Sequence, residues 1–179
     1  ASFKVQRGPY VEFDTTPYET ANFETVQLPS RDAGIILGGW YLPTDPAAPA
    51  VVIAHGFNRC KCDANVLTAS GMLHRNGFNV LLIDLRNHRD STRTTGHAAY
   101  GNTEYADVLG AWDWLSTQKH IPPSRIGLYG VSMGAAATEV AARRQTDPVS
   151  LGRLVDGDLN SITMKALEKA RERRYASVS

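Results

Sequence analysis

The stretch Leu128-Tyr129-Gly130-Val131-Ser132-Met133-Gly134-Ala135 sets a hydroxyl nucleophile between two glycines. A short apolar strand runs into it, and a helical run from Ala135 to Arg144 leaves it. A strand that turns this sharply into a helix has no room for side chains beside the serine, so glycine is needed at Gly130 and Gly134. Such a nucleophile elbow lifts the Ser132 hydroxyl to the N-terminal end of the helix, where the helix dipole favours developing negative charge. The chemistry these residues could serve is nucleophilic attack in which negative charge develops beside the helix.

An elbow of this kind needs a sheet to carry it. Phe23 to Leu28 alternates apolar and polar residues, Ser30 to Gly34 turns the chain, and Ile35 to Tyr41 reads as the second strand of an antiparallel hairpin. Ala50 to Ala54 and Asn79 to Ile83 are short, almost unbroken apolar runs, which marks strands buried on both faces. Between them Asp63 is placed to cap a helix that runs to Asn76 and stops at Gly77. Tyr105, Val108, Leu109, Trp112 and Leu115 fall at helical spacing, and Pro122-Pro123 ends that helix before the strand Ile126 to Tyr129. The fold class expected is α/β: a mostly parallel central sheet of about six strands with an N-terminal antiparallel hairpin and helices on both faces. Ligands in such sheets bind beyond the carboxyl ends of the strands, where Ser132 lies. A sixth strand is expected at Leu151 to Val155 and a terminal helix over 158–175, all within one domain spanning 1–179. Residues 1–20, with little periodicity, read as an arm over the domain.

At 179 residues, 42% hydrophobic and 21% charged, the chain has the composition of one globular domain with a real core. A net charge of +1 gives no field that would gather nucleic acid. No apolar run reaches membrane-spanning length and no signal peptide is visible, although a leader could precede Ala1. Cys60 and Cys62 are too few for a disulfide framework, and a bridge across one residue would be strained. They are therefore expected to be reduced thiols in a cytoplasmic protein. A metal there would need two further ligands, with His55 and Asp63 nearest in sequence; neither a metal nor a cofactor is expected.

His55-Gly56-Phe57 after the first buried strand, Asp84-Leu85-Arg86 with Asp90-Ser91 after the next, and Gly130 to Gly134 together resemble the α/β-hydrolase family, in its esterase and serine-peptidase-like branch. The resemblance runs from about Pro17 to Tyr175. It implies an oxyanion hole made by the backbone N–H groups of Phe57 and Met133. It also implies a serine hydrolase of esterase type acting on small, uncharged acyl esters.

The chain departs from the family pattern in two places. Asn87 and Arg89 stand where the family usually has glycine in the loop after the Asp84 strand; asparagine tolerates a left-handed backbone, whereas arginine does so at a cost. In the family the triad acid and histidine follow the nucleophile on later strands, yet no histidine follows Ser132. Asp156 and Asp158 lie where the family more often has structural residues. The expectation is a truncated fold that stops before the strands bearing acid and base. A base is then sought in His88 or His97, both in the loop after the Asp84 strand, or in a second chain docked on an open sheet edge as a homo-oligomer. His74 and His120 read as structural, and Trp112 and Trp114 as helix packing. The competing reading is a catalytically incomplete module that acts by binding or assembly.

Overall fold

Ala50–Ala54 forms a strand buried along its whole length (β4), and the computed structural model, which describes residues 2–6, 14–20 and 22–145, sets it between two parallel neighbours in a five-stranded sheet. Its neighbours are β5 (Asn79–Ile83) and β7 (Ile126–Gly130), both parallel to it. Beyond β5 lies β3 (Ile36–Leu42), antiparallel, and then β2 (Glu24–Pro29), antiparallel to β3, giving the order β2-β3-β5-β4-β7. Four of the five strands thus point one way and β3 runs against them, so the sheet is mostly parallel. The hairpin turn between β2 and β3 is closed by Ser30 N–H donating to the Ile35 carbonyl at 2.9 Å, with Gly34 at a φ of 79°.

The apolar runs of β4 and β5 are explained by the two faces they fill. Ala50, Val52, Ala54, Leu81 and Ile83 join a core with Val108, Leu109 and Leu115 of α2 (Tyr105–Gln118) and with Ala137 and Ala141 of α3 (Met133–Gln145). Val51, Ile53, Val80 and Leu82 point the other way, onto Val66 and Leu67 of α1 (Ala64–Arg75). Successive strand side chains alternate between faces, so each face needs its own covering helix. Helix α1 starts as the sequence predicts, with the Asp63 carboxylate accepting from Asn65 N–H, and Gly77 just beyond its end takes a φ of 81°.

The N-terminal arm is partly tied down. Phe3–Lys4 (β1) pairs antiparallel with His97–Ala98 (β6), and Thr16–Tyr18 makes one 3₁₀ turn. The expected sixth strand at Leu151 to Val155, the helix over 158–175, and Asp156 and Asp158 lie outside the described residues.

One expectation is corrected. Cys60 and Cys62 are not free thiols: their sulfurs are bonded, and the two Cα atoms stand 5.1 Å apart. That separation lies inside the range a disulfide requires, because the turn after His55 folds the backbone around Lys61. The bond leaves no thiolate for a metal and removes the support that reduced thiols lent to a cytoplasmic location. No helix among the described residues is long and apolar enough to cross a membrane.

Candidate active site

Strand β7 ends at Gly130, and Val131 N–H donates to the Ala54 carbonyl at 3.0 Å, so the chain stays pinned to β4 as it turns. Ser132 follows with a φ of 53°, a left-handed backbone that an ordinary side chain adopts only under constraint. The constraint is visible on both sides. A Cβ on Gly130 would sit 2.3 Å from the Gly134 carbonyl carbon, and one on Gly134 would sit 2.2 Å from the Ala54 carbonyl oxygen. Ala135 and Ala136 N–H groups donate to the Ser132 carbonyl at 2.9 and 3.2 Å, which starts the helix on Ser132 itself. Ser132 is solvent-exposed while Met133 beside it is buried.

The turn after β4 lies directly against this elbow. A Cβ on Gly56 would stand 3.4 Å from the Val131 carbonyl oxygen and 3.5 Å from Ser132 Cβ. Among the described residues the backbone N–H groups of Phe57 and Met133 donate to no protein acceptor. The Met133 amide opens α3, and the first-turn amides of a helix have no acceptor within it. The two donors stand on adjoining turns beside an exposed serine.

Beneath the turn is a buried polar cluster. Asp84, fully buried at the end of β5, accepts from Lys61 N–H at 2.7 Å and from Lys61 Nζ at 2.6 Å, and Lys61 Nζ also reaches Asp90. Lys61 is itself only 3% exposed, so the ion pair fastens the segment that carries Phe57 to the end of β5. His55 is fully enclosed: its Nε2 accepts from Leu85 N–H at 3.1 Å, which leaves Nδ1 to donate to the Gly56 carbonyl at 2.7 Å. Burial drives its pKa down to about 4, with nearby Asp84 only partly offsetting this, so the ring is neutral.

That neutrality makes stability depend on pH. Between an ordinary 6.5 and about 4 the unfolded chain binds a proton that the folded chain excludes, so stability falls as pH falls through this window. The loss expected by about pH 5 is about 2 kcal/mol. Urea unfolding of wild type and His55→Gln across this range checks it: the variant should show a flatter dependence, and equal slopes would contradict the assignment.

The two imidazoles expected as substitute bases are placed as follows. His88 is 1% exposed, its Nδ1 lies 2.9 Å from the Arg86 carbonyl, and its ring meets that of His55 edge to face at 4.7 Å. Burial lowers its pKa as well. His97 is exposed on β6, with Nδ1 3.0 Å from the Thr95 carbonyl. Among the described residues no hydrogen bond joins Ser132 to either ring. His74 contacts the Pro43 carbonyl, and His120 closes α2 at a φ of 55°. Trp112 is packed in the core and Trp114 meets Tyr41 edge to face, as the helical spacing predicts. A surface cleft lined by Gln27, Arg31, Asp113 and Trp114 includes none of the residues around Ser132.

The loop after β5 bears out the reading of its two missing glycines. Asn87 has a φ of 67° and Arg89 one of 30°. Asn87 offsets its strain through Oδ1, which accepts from Thr94 N–H at 2.7 Å and Gly96 N–H at 3.1 Å. Residues that sequence reasoning missed are Lys61, whose partners lie more than twenty positions away, and Glu104, buried at the start of α2. Glu104 accepts from Ala99 N–H at 2.8 Å and from Gly101 N–H at 2.9 Å.

The strand order, the elbow and the adjoining glycine turn define an α/β-hydrolase. A profile of the prolyl oligopeptidase family matches residues 66–174, and the chain belongs to that family. Thiohydrolase aneE of Aspergillus aculeatus is 32% identical over 128 residues, which are 72% of this chain and 40% of that protein. Polyketide transferase grgF of a Penicillium species is 24% identical over 149 residues, 82% of this chain and 48% of that protein. The chain therefore spans less than half the length of these relatives. Among solved structures, an esterase of Pyrococcus furiosus superposes with a TM-score of 0.63 at 23% identity, covering 82% of this chain and 54% of that one; this likeness is one of fold.

Proposed function

We propose that Ser132 is the nucleophile of a serine hydrolase that cleaves acyl esters, with the Phe57 and Met133 N–H groups holding the oxyanion. In the reaction the Ser132 oxygen gives up its proton and bonds to the acyl carbon, and the carbonyl oxygen holds the negative charge until the bond to the leaving oxygen or sulfur breaks. The leaving group departs with that proton, and water then releases the acid and restores the hydroxyl. The single observation carrying this reading is the strained, exposed Ser132 at a φ of 53° beside the two unspent amides. Strain held this firmly by surrounding backbone is a feature of reactive positions. The name of the Aspergillus relative widens the class of leaving group to thiols, so thioesters stand beside oxygen esters as substrates.

A second reading, a module that binds or assembles without turnover, is favoured by the lack of an imidazole bonded to Ser132 among the described residues. It would use the outer edge of β7, which in those residues pairs with β4 alone. Labelling with a fluorophosphonate, which reacts with activated serines, separates the two. Wild type should label and Ser132→Ala should not; equal labelling of His88→Ala and His97→Ala would exclude both rings as the base. No labelling of wild type would favour the second reading.

A further inference from the structure

We propose that Phe57, Tyr100 and Phe3 form an acyl-binding platform beside Ser132, selecting esters or thioesters whose acyl group ends in an aryl ring. This rests on the reading of Ser132 as nucleophile and adds the substrate class. The three rings converge from distant parts of the chain. Phe57 and Tyr100 lie 5.6 Å apart between centroids, Phe3 meets Tyr100 edge to face at 5.1 Å, and Phe3 meets Phe57 edge to face at 6.2 Å. Buried aromatic clusters need no ligand to explain them, but this one faces solvent: Phe3 is 48% exposed and Tyr100 42%. Such exposed ring surface carries a cost in water that an apolar acyl group would relieve.

Its position relative to the chemistry is fixed at two points. Phe57 offers its own amide to the oxyanion, so its ring lies within one residue of the carbonyl being attacked. Tyr100 is followed by Gly101, where a Cβ would stand 3.0 Å from the Ala136 backbone, in the first turn of the helix that Ser132 starts. Aromatic residues thus stand on both turns that adjoin the elbow, Phe57 after β4 and Tyr100 against α3.

The platform is also braced as a binding surface rather than left to fluctuate. Tyr100 holds a φ of 50°, and Glu104 grips the amides on both sides of it, Ala99 N–H and Gly101 N–H. Phe3 is held by the pairing of β1 with β6, by Val5 N–H donating to the Gly96 carbonyl at 2.8 Å, and by Gln6 N–H donating to Asn58 Oδ1 at 2.9 Å. Asn58, the residue after Phe57, sits at a φ of 55°. Preorganised rings of this kind bind a further ring with little loss of freedom. Glu104 is here a positioning residue.

The test uses three ketones that mimic the acyl part and are not hydrolysed: butanone, benzylacetone and hexyl methyl ketone. Their affinities for the full chain are measured by NMR titration. Benzylacetone should bind roughly tenfold more tightly than butanone and clearly better than hexyl methyl ketone. Tyr100→Ala should erase most of that preference, Tyr100→Phe should keep it, and Phe3→Ala, at an exposed site whose loss leaves the sheet intact, should reduce it. Ser132→Ala should keep it too, which separates this inference from the reading of the nucleophile. Equal affinity for all three ketones, or a preference that survives Tyr100→Ala, would overturn the platform whether or not Ser132 labels.

Discussion

Gly134→Ala is expected to destabilise the protein by about 3 kcal/mol and to abolish labelling of Ser132. The added methyl would stand 2.2 Å from the Ala54 carbonyl oxygen, 2.6 Å from the Ala54 carbonyl carbon and 2.7 Å from the His55 carbonyl oxygen. All three are backbone atoms of β4 and the turn that follows it. No rotamer change can make room, so either α3 must lift away from β4 or the turn after β4 must shift. Both movements separate Ser132 from the Phe57 amide. Chemical denaturation followed in parallel with fluorophosphonate labelling reads both effects. A variant as stable and as reactive as wild type would mean that the elbow is not packed as described.

The second large effect concerns the buried charge pair of Arg86 and Asp107. Arg86 Nε and Nη2 donate to the Asp107 carboxylate, Nη2 at 2.8 Å, and Arg86 N–H donates to Asp107 Oδ2 at 2.8 Å. Asp107 is fully buried and Arg86 is 6% exposed. Burial pushes the Asp107 carboxyl upward, and the arginine contacts recover only part of that shift. Asp107→Ala would leave a guanidinium in the protein interior with only Ser30 and the half-exposed Asp32 as partners. The expected cost is about 3–5 kcal/mol. Removing both charges as Arg86→Met with Asp107→Leu should be much milder than the single change, because no unpaired ion remains. Thermal unfolding of the single and double variants decides this; a double variant worse than the single one would show that the pair contributes through attraction and not through mutual neutralisation.

How far the sequence discloses this molecule depends on how local each signal is. The continuous apolar runs of β4 and β5, the Asp63 cap of α1 and the spacing of Trp112 and Leu115 in α2 are written in neighbouring residues, and each element forms where expected. The elbow is equally local, since its glycines exclude Cβ atoms within a few positions of Ser132. Even the left-handed Asn87 and Arg89 are legible as side chains standing where a turn asks for glycine. What the sequence hides is set by contacts between distant positions. Lys61 between two cysteines gives no hint that it will be buried against Asp84, and without that ion pair the fold of the segment that brings Cys60 to Cys62 is not foreseeable. The pairing of Phe3 with Ala98 joins two-residue strands, too short to carry any periodicity. For the same reason the meeting of Phe3, Phe57 and Tyr100 emerges only once the chain is folded.

On the proposed function, Ser132, strained at the turn between β7 and α3, takes an acyl group. Incubation with a nitrophenyl ester, acid quenching and peptide mass spectrometry test it most directly. The acyl group should be found on the peptide containing Ser132 and be absent from Ser132→Ala; an adduct on any other residue, or on none, would contradict it.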